Sequence, residues 1–78
     1  MITVNKFVQL WLHYFDPDSD IKIWDRKSGD YIFSTKYPLS GQEDKADEIS
    51  AMEVKCFYEY YDDDTGKRTL IINVGEYE

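Results

Sequence analysis

Two side chains of this sequence could act as a nucleophile or a general base, and neither has the partners that catalysis requires. His13 is the only histidine and Cys56 the only cysteine. A catalytic histidine serves a serine or cysteine that a motif places beside it, and no such motif surrounds these residues. A lone cysteine also excludes an internal disulfide and a cysteine zinc cage. We therefore expect no enzyme activity, no cofactor and no metal site, and we interpret Cys56 as a small buried residue.

The alternating aspartates of residues 16–20 resemble the start of a calcium-binding loop. Such a loop needs glycine at its sixth position and a bidentate glutamate at its twelfth. Those positions hold Ile21 and Lys27, so the match fails. A helix stop followed by a turn explains the segment better, because Pro17 lacks a backbone donor and disfavours helical geometry at Asp16.

The element that precedes these aspartates is predicted to be an amphipathic helix over residues 4–14. Its apolar residues recur at three- and four-residue spacing, and they are Val4, Phe7, Val8, Trp11, Leu12 and Phe15. The Thr3 hydroxyl can cap the first turn. No apolar run approaches the roughly 18 residues of a membrane span, and no signal-peptide pattern is present. We therefore expect a soluble, cytoplasmic protein without a membrane partner.

Four alternating segments follow the helix and predict two β-hairpins. Gly29 supplies the turn of the first hairpin, and a loop rich in turn formers supplies that of the second. The predicted strands are residues 20–25, 31–37, 53–61 and 68–74. The charged segment 42–52 between the hairpins is predicted as a loop with one or two helical turns.

These elements predict a single small α+β domain over residues 1–78. An alternating antiparallel sheet needs a cover on one face, and the N-terminal helix supplies it. We expect the helix to pack on one face of a four-stranded, mainly antiparallel sheet made of two hairpins, in the order α-β-β-(α)-β-β. The strand order stays open. The predicted inner face holds Ile21, Ile23, Tyr31, Phe33, Val54, Cys56, Tyr58, Leu70, Ile72 and Val74.

The other face of the predicted sheet is the first candidate for function. One helix cannot cover both faces, so either segment 42–52 folds over the second face or that face stays exposed. Exposed apolar patches often mark partner sites, and Trp and Tyr are typical interface anchors. A protein partner, or a second copy in a homodimer, would bind there. The candidate residues are Trp24, Ile32, Phe57, Tyr61 and Ile71.

The charge asymmetry of the chain is the second candidate. Sixteen acids and nine bases give a net charge of −7, which disfavours direct binding to duplex nucleic acid. The whole excess falls in residues 42–78, which hold eleven acids and four bases. A carboxylate array can mimic nucleic acid, although an acidic surface more commonly serves solubility. The candidate acids are Glu43, Asp44, Asp47, Glu48, Asp62, Asp63 and Asp64.

A local basic strip makes binding of single-stranded nucleic acid another alternative, since aromatic side chains stack bases where a positive groove is present. The strip would consist of Lys22, Arg26, Lys27 and Lys36.

Three segments together resemble a known group of proteins: residues 2–7, residues 20–25 with 29–33, and residues 70–74. The group comprises short, acidic, uncharacterised proteins of phages and mobile elements of Gram-positive bacteria. The resemblance implies no catalytic residue, and it implies a setting in which accessory and anti-defence proteins are common. The prediction is a non-catalytic protein-interaction module of such an element. The alternatives are an acidic, nucleic-acid-mimicking inhibitor of a host DNA- or RNA-binding enzyme and, least favoured, a small accessory enzyme.

Overall fold

Helix α1 occupies Val4–Tyr14, as the apolar spacing predicts. The computed structural model describes residues 1–76, while Tyr77 and Glu78 lie outside the described residues. The Thr3 hydroxyl accepts a hydrogen bond of 3.3 Å from the Lys6 amide and so caps the first turn,. No helix within residues 1–76 is long and apolar enough to cross a bilayer.

The start of α1 is tied to the segment that leads into the third strand. The Val4 amide donates to the Met52 carbonyl at 2.9 Å, and the Val54 amide donates to the Ile2 carbonyl at 2.9 Å. These two hydrogen bonds place the first turn of the helix beside the beginning of that strand.

The predicted fold class is confirmed: four strands form two antiparallel hairpins below the helix. Their bounds are β1 (Asp20–Asp25), β2 (Asp30–Ser34), β3 (Cys56–Asp62) and β4 (Lys67–Val74). The strand order is β2-β1-β4-β3, so the two hairpins meet through a parallel pair of β1 with β4. The central pair of strands is therefore parallel, and the pair on either side of it is antiparallel.

Segment 42–52, which the sequence leaves open, is partly helical. It holds a 3₁₀ turn (Gln42–Lys45) followed directly by the short helix α2 (Ala46–Ser50). Helix α2 contacts α1, and its buried residue Ile49 joins the core. The segment therefore lies on the same side of the sheet as α1 and does not cover the second face.

The core lies between the two helices and the two central strands. Its buried members alternate along β1 and β4, because successive side chains of a strand point to opposite faces. The core consists of Val4, Ile21, Ile23, Ile49, Leu70, Ile72 and Val74. Strand β4 is the central element of this core, since every residue from Leu70 to Val74 is buried.

We expect Ile72→Ala to lower the free energy of unfolding by about 2–5 kcal/mol, because this fully buried side chain would leave a cavity in the core,. Leu10→Ala is the matched control, since Leu10 is 39% exposed on α1. Its expected cost is below about 1 kcal/mol. Urea unfolding followed by circular dichroism measures both values, and equal losses for the two variants would contradict the proposed core.

Candidate interaction surface

Both helices pack on one side of the sheet, and we call the other side the open face. Helix residues such as Val4 and Ile49 pack against Ile23 and Leu70, which point to the helix side. Within residues 1–76, no helix or other strand lies over the opposite side. The large apolar side chains of the open face are Trp24, Tyr31, Tyr58, Tyr60 and Ile71.

Two of the five candidate residues lie on the open face, as predicted. Trp24 pairs with Tyr31 across β1 and β2, and their rings meet edge to face at 4.9 Å. Ile71 lies at the middle of β4 between Lys22 and Tyr58. Ile71 is only 8% exposed, because the longer side chains on the neighbouring strands flank it.

The other three candidates lie on the helix side, so their assignment to the second face is wrong. The Phe57 ring lies 4.7 Å from that of Phe7 on α1. Tyr61 shares the helix side with Arg68, whose guanidinium carbon lies 5.6 Å from its ring. Ile32 packs against the helix-side core.

Three residues predicted for the inner face lie on the open face instead, and β3 explains two of them. Large aromatic residues occur at both parities of β3, so the alternation does not show which parity is buried. The register decides it: Phe57 pairs with the buried Ile72, whereas Cys56 pairs with Asn73 on the open side. Cys56 and Tyr58 therefore face outward, and Cys56 is exposed rather than buried.

Tyr31 reverses its predicted face for a different reason. The register of β1 with β2 shifts between Ile23 and Trp24, which pairs Ile23 with Phe33 but Trp24 with Tyr31. Such a bulge leaves one residue of a strand unpaired and re-aims its neighbours. Ile32 is that extra residue in β2, so Tyr31 points to the open face.

The two free edges of the sheet differ in how they are protected. At the β2 edge, the Gln42 side chain bonds to the backbone of Ser34, the last residue of the strand. Its Oε1 accepts a hydrogen bond from the Ser34 amide, and its Nε2 donates to the Ser34 carbonyl, both at 3.1 Å. Among the described residues, nothing bonds in this way to the outer backbone edge of β3. Unpaired strand edges readily accept another strand.

Five aromatic side chains and one leucine lie beside this unprotected edge, on both sides of the sheet. Leu10 and Tyr14 follow Phe7 by three and seven residues, so they continue the side of α1 that contacts β3,. These two side chains and the four aromatic side chains of β3 are each 39% to 77% exposed. We call this set the β3 edge surface, and it consists of Leu10, Tyr14, Phe57, Tyr58, Tyr60 and Tyr61.

Arg68 holds the end of α1 against this part of the sheet. Its Nη1 donates to Asp16 Oδ2 at 3.2 Å, and its Nε lies 3.6 Å from Glu59 Oε2. Its guanidinium also lies against the ring of Phe15 at 5.4 Å and that of Tyr61 at 5.6 Å. The cation thus joins the helix end, β3 and β4 in one cluster.

Side-chain contacts of Asp16 hold the aspartate-rich turn after α1. The Asp18 amide donates to Asp16 Oδ1 at 3.0 Å, while the other Asp16 oxygen binds Arg68. Together with Arg68, the Asp18 hydrogen bond lowers the pKa of Asp16,. Within residues 1–76, no group of three His, Cys, Asp or Glu side chains comes together as a metal site.

The basic residues predicted as a strip are divided between two places. Lys22 and Lys36 line an open-face groove of about 220 Å³ with Lys67, Asp20 and Asp62. The Arg26 side chain lies elsewhere and donates to Cys56 Sγ at 2.9 Å. The ammonium groups of the groove therefore share it with carboxylates.

The candidate acids also fall into two separate groups. Glu43, Asp44, Asp47 and Glu48 belong to the 3₁₀ turn and α2, which follow edge strand β2. The other group, residues 62–64, forms the tip between β3 and β4. Strands β2 and β3 are the opposite edges of the sheet, about 14 Å apart at ordinary strand spacing,.

No protein-family model, curated protein or solved structure matches this chain.

We expect Asp16→Asn to lose stability at neutral pH and to differ little from the wild type in strong acid. A carboxyl whose pKa is lowered by folding stabilises the native state above its unfolded pKa,. This contribution disappears as the pH falls through the folded pKa. Thermal unfolding at about pH 7 and about pH 2 measures the difference. Asp18→Asn is the control, and a loss for Asp16→Asn that persists unchanged in acid would exclude the ionic contribution.

Proposed function

We propose that this chain is a non-catalytic protein-interaction module that acts in the cytoplasm and binds its partner through the open face. The observation that carries the proposal is that α1 and α2 share one side of the sheet. Trp24 and Tyr31 consequently form an aromatic pair with no helix over it. Aromatic side chains on a rigid sheet supply a large contact area at low entropic cost, as protein interfaces require.

The charges of the open face support a protein partner over single-stranded nucleic acid. The three lysines of the groove lie beside Asp20 and Asp62, which would repel a phosphate backbone. The chain as a whole carries −7, which slows the approach of a polyanion. A protein can satisfy both signs of charge along one surface.

Nucleic-acid mimicry is the weaker of the two functions proposed for the chain. A mimic presents its carboxylates as a continuous strip that follows the charge spacing of a duplex. Here Asp47 and Glu48 belong to the segment that follows one sheet edge, and Asp62–Asp64 lie at the other. The resemblance to short acidic proteins of phages and mobile elements fits either role.

The proposal of a non-catalytic role rests on the surroundings of the two reactive side chains. His13 is exposed on α1, and its nearest ring neighbour is Tyr14 at 4.5 Å. Cys56 is on the open face, where its sulfur accepts a hydrogen bond from Arg26. The two lie on opposite sides of the sheet, so neither can activate the other.

The open face is tested by using the tagged chain as bait in a lysate of the organism that encodes it. We expect wild type and His13→Ser to capture the same protein, because His13 is exposed on α1, on the other side of the sheet from Trp24 and Tyr31. The Trp24→Ser/Tyr31→Ser bait is expected to capture at least about tenfold less of that protein, since the variant lacks two aromatic anchors. Mass spectrometry quantifies the capture, and thermal unfolding confirms that each variant folds. Equal capture by all three baits would refute the open face as the binding surface.

A further inference from the structure

We infer that the unprotected β3 edge binds a second copy of this chain, so that two sheets join into one continuous eight-stranded sheet. The inference goes beyond the proposed function, because it concerns the β3 edge and not the open face. The contrast between the two sheet edges carries it: Gln42 bonds to the β2 edge at Ser34, while no such bond is made to the β3 edge among the described residues, and exposed aromatic side chains border it.

The sequence of β3 lacks three features that commonly prevent strand addition. Edge strands are commonly blocked by proline, by lysine or by a bulge. Residues 56–62 contain neither proline nor lysine, and their pairing with β4 runs without a shift. Instead, four of the seven residues are Phe or Tyr, and each is at least half exposed.

The strand is complementary to itself when two copies pair in antiparallel fashion about Glu59. In this register Phe57 lies opposite Tyr61 of the second copy on the helix side. Tyr58 lies opposite Tyr60 of the second copy on the open side. Aromatic side chains directly opposite each other stabilise antiparallel pairs. All seven residues of β3 take part, which is the longest overlap that the strand allows.

The single charge conflict of this register is compensated by Arg68. Glu59 lies opposite Glu59 of the second copy, and two like charges in this position destabilise a strand pair. The Nε atom of Arg68 lies 3.6 Å from Glu59 Oε2, so two guanidinium groups flank the two carboxylates. Pairing about Tyr58 or Tyr60 instead places Glu59 or Asp62 opposite an aromatic ring and shortens the overlap.

The available area is of the size that a stable dimer needs. A buried aromatic side chain removes about 150–250 Å² from water. The six half-exposed side chains of the β3 edge surface can therefore bury about 600 Å² per copy,. Stable interfaces bury about 800 Å² per partner, and the paired backbones supply the remainder.

Light scattering coupled to size exclusion, over a range of protein concentrations, tests the dimer. We expect a shift from monomer to dimer mass, with more dimer at high salt, because two copies of charge −7 repel each other less when screened,. Tyr58→Lys/Tyr60→Lys is expected to remain monomeric, since each new lysine meets a lysine of the second copy. The control Tyr31→Lys/Leu39→Lys, beside the opposite edge strand β2, is expected to dimerise like the wild type.

A wild type that stays monomeric throughout would overturn the inference. So would a dimer that survives the β3 lysines, whether or not the control also dimerises. A monomeric wild type would leave the open-face proposal standing, because the bait experiment uses Trp24 and Tyr31, which lie away from the β3 edge. A dimer together with equal capture by all three baits would overturn only the open-face proposal.

Disulfide trapping tests the register independently of the lysine variants. In a Cys56→Ser background, Tyr58→Cys and Tyr60→Cys chains are expected to cross-link when mixed and to resist cross-linking when oxidised separately. The two native Cys56 thiols would lie about 20 Å apart in this dimer, six residue spacings along the strand. Wild type should therefore not cross-link within the dimer. Cross-linking of Tyr58→Cys or Tyr60→Cys with itself would overturn the register about Glu59.

Discussion

The parallel pairing of β1 with β4 is the constraint on which the rest of the structure depends. It places Ile21 opposite Leu70 and Ile23 opposite Ile72, so the apolar side chains of both strands point to the same face. Each hairpin then adds one antiparallel strand outside this pair. The 78-residue chain has two short helices, and both pack against the core on this same face of the sheet. The uncovered face and the two unequal edges follow from this arrangement.

The elements with strong local periodicity could be predicted from the sequence alone. The apolar stripe of α1, the cap at Thr3 and the stop near Pro17 identify the helix, and the turns at Gly29 and Gly66 identify the hairpins. The α+β class follows, because one amphipathic helix and an alternating sheet each need the other for burial. The order of the strands depends on contacts between distant segments, and no local pattern encodes it.

The faces of β2 and β3 could not be predicted, for two physical reasons. In β3 both parities carry aromatic residues, so only the pairing of Phe57 with Ile72 reveals the buried side. In β2 the bulge beside Trp24 turns Tyr31 to the open face, and no proline or glycine in the strand indicates the bulge. The role of Gln42 could not be predicted either, because no sequence pattern distinguishes a glutamine that binds a strand edge from any other polar residue in a charged segment.

Some residues belong both to the candidate surfaces and to the contacts that hold the fold, so their substitution would change binding and stability together. Phe57 supports α1 through Phe7 while half of its own surface faces solvent. Arg68 likewise joins the end of α1 to the sheet while it lies next to the exposed edge. Tyr58 and Tyr60 lie on the open side of β3, away from α1, and can therefore report on association separately from stability.

Hydroxyl-radical footprinting of the dilute chain tests most directly the claim that the sheet is covered on one side only. Mass spectrometry would compare the oxidation rates of Tyr58 and Tyr60 with those of Tyr14, which is exposed on α1, and of the buried Leu70. We predict that the two β3 tyrosines are oxidised about as fast as Tyr14, once the rates are normalised to free amino acids. Protection of Tyr58 and Tyr60 to the level of Leu70 in the monomer would contradict the account, since it would show that polypeptide covers both sides of the sheet.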